Sequence, residues 1–277
     1  MSAHAFLSWA GSKKWLIPSI NNIIPQQFNN YYEPFLGSGS VFFGLKQSNL
    51  SFLSDTIPEL IGCYSGIKDN VEGVIELLAQ WPVEKDTYYH IRSNVSDDPT
   101  YKSARFIYLN KLCFNGLYRV NKKGVFNVPF GKPKTNKTAN FDNLRDAAKH
   151  LNNASLAVID FEQALMNCCK GDLVFLDPPY VNSIGDNGFA DYNSRVFSWE
   201  DQKRLKTEFE RLDEIGAYVL LTNTDHHSIV DLYYRYNRIE RTRYSSMSGK
   251  ISGRGNCSEL IILGSNLERV IRACCNG

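Results

Sequence analysis

The sequence predicts an α/β fold, a doubly wound sheet built from both ends of the chain and interrupted by a mostly helical insertion that carries a β-hairpin. Three observations predict it. About seven short apolar runs of strand length recur, with helical patterns between several of them. The first two enclose a glycine turn, Gly37-Ser38-Gly39. Between residues 58 and 152 the strand signal gives way to helical spacing and basic residues.

The first strand is expected at 31–34, followed by the turn 35–40 and a helix at 41–46. The second, at 50–54, ends at Asp55. Strand, glycine turn, helix, strand and an acid roughly 20 residues beyond the first glycine make up the opening unit of a nucleotide-binding sheet. Phe42 stands where a dinucleotide turn has its third glycine, so another ligand is favoured. Asp55 is expected to accept from ribose hydroxyls.

Leu60, Ile61, Tyr64 and Ile67, then Val71, Val74, Ile75 and Leu78, recur at helical spacing and predict two helices over 58–81. Residues 101–114 continue helically. Asn115-Gly116 and Lys122-Lys123-Gly124 supply turns around 117–120 and 125–128, which predicts a basic hairpin. A loop over 132–140 and a helix over 141–152 close the insertion. The sheet resumes at 155–159, ending at Asp160, and continues with strands at 173–176, 218–222, 238–244 and 260–263. The core is thus 1–57 with 153–277, and the insertion is 58–152. Gly37, Asp55, Asp160 and Asp177 each follow a strand, and such sheets bind ligands beyond the carboxyl ends of their strands, so these residues are expected to share one rim.

Charge supports a polyanionic partner. Although the 277 residues sum to a net charge of only +2, residues 99–141 hold no Asp or Glu and nine basic side chains: Lys102, Arg105, Lys111, Arg119, Lys122, Lys123, Lys132, Lys134 and Lys137. The remainder holds 22 basic residues against 29 acidic ones. A basic face on an acidic body is the footprint of nucleic-acid binding. Arg235, Arg238, Arg241, Arg243, Lys250 and Arg254, with Glu240 among them, form a second basic stretch.

The cysteines Cys63, Cys113, Cys168, Cys169, Cys257, Cys274 and Cys275 are odd in number and include no C-x-x-C pair. They read as reduced thiols of a soluble, unprocessed cytoplasmic protein. No segment approaches the roughly 18 apolar residues of a membrane span, so no membrane partner is expected. His226 and His227 have no third ligand at suitable spacing, which predicts a loop or helix-cap role and no metal.

The most informative motif is Asp177-Pro178-Pro179-Tyr180, delivered by the apolar run Leu173-Val174-Phe175-Leu176. The prolines remove two N–H donors and leave carbonyls that only accept; Asp177 adds an acceptor and Tyr180 a stacking face. Such a site holds an amino group on a flat ring.

Together these motifs resemble the DNA adenine-N6 methyltransferases of the Dam family, with the glycine motif first, the target-recognition region second and D-P-P-Y last, the α-type order of the D12 class. The resemblance covers 6–13, 33–42, Asp55, 113–121, 124–131, Asp177 to Tyr180 and Leu220-Leu221-Thr222-Asn223. It implies a Rossmann-like methyltransferase sheet, with 58–152 as a target-recognition domain for double-stranded DNA and S-adenosyl-L-methionine as cofactor. Trp9, Lys13, Phe35, Gly37, Gly39, Asp55, Asp160 and Asp177 would line the cofactor site. Asp177, Pro178 and Tyr180 would be catalytic. The 114–131 stretch resembles that of members that modify GATC. In that picture Phe114 wedges where a flipped base leaves, and Asn115, Leu117, Arg119 and Pro129 meet bases. Asn121, Lys122, Lys123, Lys132, Lys134 and Lys137 complete the DNA-binding set, the lysines on phosphates. Ser12 departs from the family, which commonly has a second glycine there; a serine fits where no positive φ is needed. Neither a cognate restriction endonuclease nor an oligomeric state follows from the sequence.

Two rival readings follow from the same residues. A related site acting on RNA adenine or protein glutamine is commonly written with Asn in place of Asp177, and the long hairpin-bearing insertion favours duplex DNA. A catalytically silent DNA-binding regulator would not need Trp9, Lys13, Asp55 and an intact Asp177-Pro178-Pro179-Tyr180.

Overall fold

The structure, a computed structural model, describes residues 3–20, 22–45, 49–131, 133, 135–180, 197–245 and 255–275, with backbone alone at 243–245, 255–257 and 273–275. Lys132, Lys134, Lys250 and Arg254 lie outside the described residues, as does the side chain of Arg243. The fold is mixed α/β with seven strands in one sheet. The chain divides into two compact units, 1–17, 36–47 and 55–158 in the first and 18–35, 48–54 and 159–277 in the second.

In chain order the elements are α1 (Ile17–Ile20), β1 (Tyr31–Glu33), α2 (Ser40–Gly44), β2 (Ser51–Asp55), α3 (Pro58–Gln80), α4 (Lys85–Ser93), α5 (Pro99–Leu112) and α6 (Phe141–Leu151). There follow β3 (Ala154–Val158), α7 (Phe161–Leu165), β4 (Leu173–Leu176), α8 (Trp199–Glu214), β5 (Tyr218–Thr224), α9 (His227–Leu232), β6 (Asn237–Ser245), β7 (Gly255–Leu263) and α10 (Ser265–Cys275).

The second unit holds six strands in the order β2-β1-β4-β5-β7-β6. The first four run parallel, and β7 and β6 reverse. All four residues of β4 are buried, which is why it reads as an unbroken apolar run rather than an alternation. On one face Val174 and Leu176 join Leu205, Phe209 and Leu212 of α8 and Ile229 of α9 in a single core. Ser198 and Asp201 form a capping box that starts α8. His226 caps α9, its Nδ1 accepting from the Ser228 amide at 3.3 Å. No helix of the described residues is long and apolar enough to cross a membrane.

The first unit is largely helical, with α3 packed on α5 and α6. The two helices expected over 58–81 are present within Pro58–Gln80 and meet at a kink at non-helical Asn70 (φ −150°, ψ 61°). The Asn70 side chain accepts from the Gly73 amide, replacing a helical bond with a local one. Asp98 caps α5 and Asn140 caps α6. Cys63, Cys113, Cys168 and Cys169 are free thiols.

The expected hairpin strands at 117–120 and 125–128 do not form. Isolated bridges join Cys113 with Phe130 and Val120 with Phe126, and single backbone bonds run from the Asn127 amide to the Arg119 carbonyl at 3.1 Å and from the Asn121 amide to the Val125 carbonyl at 2.9 Å. Local polar bonds take the ladder's place: Asn121 Oδ1 accepts from the amides of Lys123 and Val125, and Pro129 has no N–H to offer. The segment is a hairpin-like loop tied by single backbone bonds and by side chains.

Candidate functional site

Within the first unit, the glycine turn after β1 and the N-terminal segment form one cradle. Gly37 (φ 47°) and Gly39 (φ 61°) adopt left-handed conformations that suit glycine. The Trp9 ring lies so close to Gly37 that a Cβ there would meet Cδ1 at 2.8 Å. Tyr64 donates its hydroxyl to the Gly37 carbonyl at 2.9 Å. Ser12 needs no positive φ, since the left-handed position is Gly11 (φ 81°). Its hydroxyl joins those of Ser40 at 2.7 Å and Ser38 at 3.1 Å, tying the two turns together.

Lys13 is buried, with Nζ donating to the Gly11 carbonyl at 2.7 Å. A lysine side chain in such a cradle supplies N–H donors of the kind that suit a carboxylate. Asp55, the last residue of β2, accepts from the Gly37 amide at 3.1 Å and the Ile57 amide at 3.2 Å. Burial raises its pKa, and the backbone donors offset only part of that. Each of its oxygens carries a second lone pair, so hydroxyl donors can be accepted as well. Trp9, Lys13, Gly37, Gly39 and Asp55 therefore fit a ligand with a flat or cationic group, a carboxylate and vicinal hydroxyls.

Within the second unit, Asp177 leaves the carboxyl end of β4. Its Oδ1 accepts from Thr222 Oγ1 at 2.7 Å. Tyr180 donates to Glu259 Oε2 at 3.2 Å. Burial, then the charges of Asp177 and Glu259, hold the Tyr180 pKa well above its ordinary value. The ring thus keeps its proton across the working range. Phe35 packs its ring on Phe161 and Phe197, with centroids 5.5 and 5.7 Å away.

Asp160 is committed elsewhere. It caps α7 through the Glu162 amide and accepts from Arg204 Nη2 at 2.8 Å. Arg204 also reaches Glu162 and Asp201, and its guanidinium lies over the Phe161 ring at 4.9 Å. The Asp160 position is thereby fixed, with an arginine sharing its charge.

The 113–131 loop presents the remaining candidates. Phe114, Asn115, Arg119, Asn121, Lys122, Lys123 and Pro129 are exposed, as is Lys137 beyond it, and Leu117 is half-buried. Asn115 (φ 56°) is the left-handed non-glycine residue among those described, followed by Gly116 (φ 61°). A Cβ on Gly116 would meet Ser8 Cβ at 2.5 Å, and Ser8 exchanges two backbone hydrogen bonds with the Asn110 side chain. Arg119 is held by Asn127, Nε donating to Oδ1 at 2.8 Å. Asn121 is engaged in the turn rather than extended outward.

Sequence reasoning missed several participants. Tyr118 stacks on Trp9 with centroids 5.4 Å apart and an interplanar angle of 26°. Asn127, Thr222 and Glu259 were also given no role. A polar residue closing an apolar strand was the available signal for Thr222.

A family model described as D12 class N6 adenine-specific DNA methyltransferase matches residues 9–247. Type II methyltransferase M1.LlaDCHI of Lactococcus lactis subsp. cremoris is 37% identical over 269 residues, covering 93% of this chain and 94% of that protein. Type II methyltransferase M.MjaIII of Methanocaldococcus jannaschii is 35% identical, covering 81% and 85%. A DNA adenine methylase of Haemophilus influenzae is 33% identical, covering 93% and 92%.

Proposed function

The chain belongs to the D12 class of N6 adenine-specific DNA methyltransferases, and from that premise we propose that it methylates an adenine flipped out of double-stranded DNA, within GATC, using S-adenosyl-L-methionine. The observation that carries the reading is the Asp177-Pro178-Pro179-Tyr180 turn at the end of β4, with the Asp177 carboxylate held by Thr222.

The cofactor supplies an electrophilic methyl group when bound. Trp9 offers a face to its flat or cationic part, Lys13 meets its carboxylate and Asp55 takes its ribose hydroxyls, with Gly37 and Gly39 completing the cradle. Flipping removes the base from a duplex that otherwise blocks approach, at a cost of roughly a few kcal/mol. Tyr180 stacks on the extruded ring. Asp177 and the Pro178 carbonyl accept from the N6 amino group, whose lone pair is otherwise delocalised. Those bonds favour the tetrahedral nitrogen created by attack, so they strengthen toward the transition state. N6 gains the methyl as the bond between that carbon and the sulfonium sulfur breaks, leaving a neutral thioether, and the proton that N6 gives up passes to solvent.

Residues 58–152 form the target-recognition domain in this reading, and 1–57 with 153–277 the catalytic one. Arg119 donates to a guanine edge, Asn115, Leu117 and Pro129 meet bases, and Phe114 fills the vacated stack. Lys122, Lys123, Lys132, Lys134 and Lys137 meet phosphates. The nine basic side chains and the absence of acids over 99–141 support duplex DNA as partner. We place the enzyme in the cytoplasm with its substrate.

The test is transfer of labelled methyl from S-adenosyl-L-methionine to duplexes with and without GATC, followed by nucleoside analysis. Labelled N6-methyladenine in the GATC duplex alone is expected. Label in both duplexes would keep the chemistry and discard the site, and no label would sink the reading.

A further inference from the structure

Two strands behind the D-P-P-Y turn carry polar side chains that the mechanism above leaves unused. Thr222 of β5 is fully buried, and Glu259 of β7 is 2% exposed. In the antiparallel β5–β7 register Thr222 faces Ile261 and Thr224 faces Glu259. Residues directly opposite share a face and side chains alternate along a strand, so Thr222 and Glu259 are diagonal neighbours on one face of the sheet. The bonds follow from that placement: Thr222 Oγ1 to Asp177 at 2.7 Å, and Tyr180 to Glu259 at 3.2 Å.

The geometry points to Thr222 and Glu259 as positioning residues of the methyl-transfer site, Thr222 setting the Asp177 carboxylate and Glu259 the Tyr180 ring. This rests on the adenine-methyltransferase reading above. An aspartate rotates about two side-chain bonds, and a hydroxyl on Oδ1 fixes the plane of the carboxylate. The direction in which the acid meets an amino group is then set before substrate arrives. The alternative donor target for Thr222, the Leu176 carbonyl, is 3.4 Å away, so the shorter charge-assisted bond wins.

Glu259 acts on the other half of the turn. A stacking ring anchored only through its Cβ can swing, whereas a bond at its far end fixes the plane on which a base lies. The charge of a buried carboxylate is costly unless it is hydrogen-bonded. Tyrosine answers that need, and the raised Tyr180 pKa keeps the ring a donor.

The experiment uses the full chain with S-adenosyl-L-methionine and a duplex carrying one target adenine, comparing wild type with Thr222→Val, Thr222→Ser, Glu259→Leu, Glu259→Gln, Tyr180→Phe and Glu259→Leu combined with Tyr180→Phe. Thr222→Val should lower kcat by at least ~10-fold while KM for cofactor and duplex stays within about twofold, and Thr222→Ser should recover most of it. Glu259→Gln, which keeps an acceptor, should retain most of kcat; Glu259→Leu should not. In the Tyr180→Phe background Glu259→Leu should cost nothing further, because the bond is already gone. A 2-aminopurine at the target position reports ring placement independently of turnover, and its fluorescence should change in Glu259→Leu and Tyr180→Phe alike.

Unchanged kcat in Thr222→Val would remove Thr222 from the site. Equal losses in kcat, KM and melting temperature, with no recovery in the serine variant, would make it a fold residue. Additive losses from Glu259 and Tyr180 would break their assignment as a pair. An active wild type with neutral variants overturns the positioning alone, whereas an inactive wild type overturns the adenine-methyltransferase reading and this inference with it.

Discussion

A Cβ built on Gly37 would lie 2.8 Å from Cδ1 and 3.1 Å from Nε1 of Trp9. The glycine is required twice, for that approach and for its φ of 47°. Gly37→Ala should therefore push the indole out of the cradle and weaken S-adenosyl-L-methionine binding by at least ~10-fold, on top of the roughly 1 to 2 kcal/mol that a side chain costs in left-handed backbone. Isothermal titration checks it. An alanine variant with wild-type affinity would show that Trp9 is not part of the cofactor site.

Asp177→Ala should lower turnover by at least ~10²-fold while cofactor affinity falls less, because the lost bonds are made mainly in the transition state. Single-turnover methyl transfer alongside equilibrium cofactor binding separates the two. Near-normal turnover would take Asp177 out of the chemistry.

Asp55 gives the cofactor site a pH dependence of known sign. Burial raises its pKa above the ordinary 3.8, so it protonates early as pH falls. Cofactor affinity should decline on acidification starting above that ordinary value, and Asp55→Asn should flatten the decline. In the free protein the folded state binds this proton more tightly than the unfolded chain. The stabilisation that results is present below the unfolded pKa and lost as pH rises through the raised folded one, so at neutral pH the ionised group opposes folding. An acid limb unchanged in the asparagine variant would assign it to another group.

Arg119→Ala should reduce discrimination at one base pair by about 1 to 3 kcal/mol. Asn127→Ala should reproduce part of the loss, since Asn127 fixes the guanidinium. Competition binding of cognate against substituted duplexes measures both. An equal drop on cognate and random DNA would mark Arg119 as a phosphate contact.

Gly66→Ala tests the packing of the first unit. A Cβ there would sit 2.0 Å from Ser103 Oγ, a hydroxyl already committed to the Pro99 and Gly62 carbonyls. Overpacking at this crossing of α3 and α5 should cost about 1 to 3 kcal/mol, readable by thermal or urea unfolding. No loss of stability would show that the helices can separate freely.

The sheet was legible wherever both strand faces are buried. The bounds of β4 match the expectation to the residue because an unbroken apolar run between turn signals has few other readings. β7 was read as four residues and spans nine, Gly255–Leu263, because its first half is Gly-Asn-Cys-Ser-Glu, which carries no strand signal. That half is held by backbone pairing to β6 and β5, a long-range fact that local composition does not contain. Glu259 was hidden for the same reason. The loop at 113–131 failed in the opposite sense: its β-branched and aromatic residues suggested strands, and the Asn121 side chain captured the amides that a ladder would have used. Asp160 was placed correctly after β3, yet its engagement by Arg204, 44 residues later, is invisible in the sequence.

β6 is the last strand in the order of the sheet, so one edge of its nine residues meets no neighbouring strand among those described and turns alternate N–H and C=O groups outward. Such an edge is a template on which a second polypeptide can add, the first step toward fibrous assembly. Arg238, Glu240 and Arg241 punctuate it with charge. A newcomer strand would have to bury those side chains or align opposite signs along its whole length. The charged edge thereby disfavours strand addition, an effect of the arginines that holds whether or not they ever meet a phosphate.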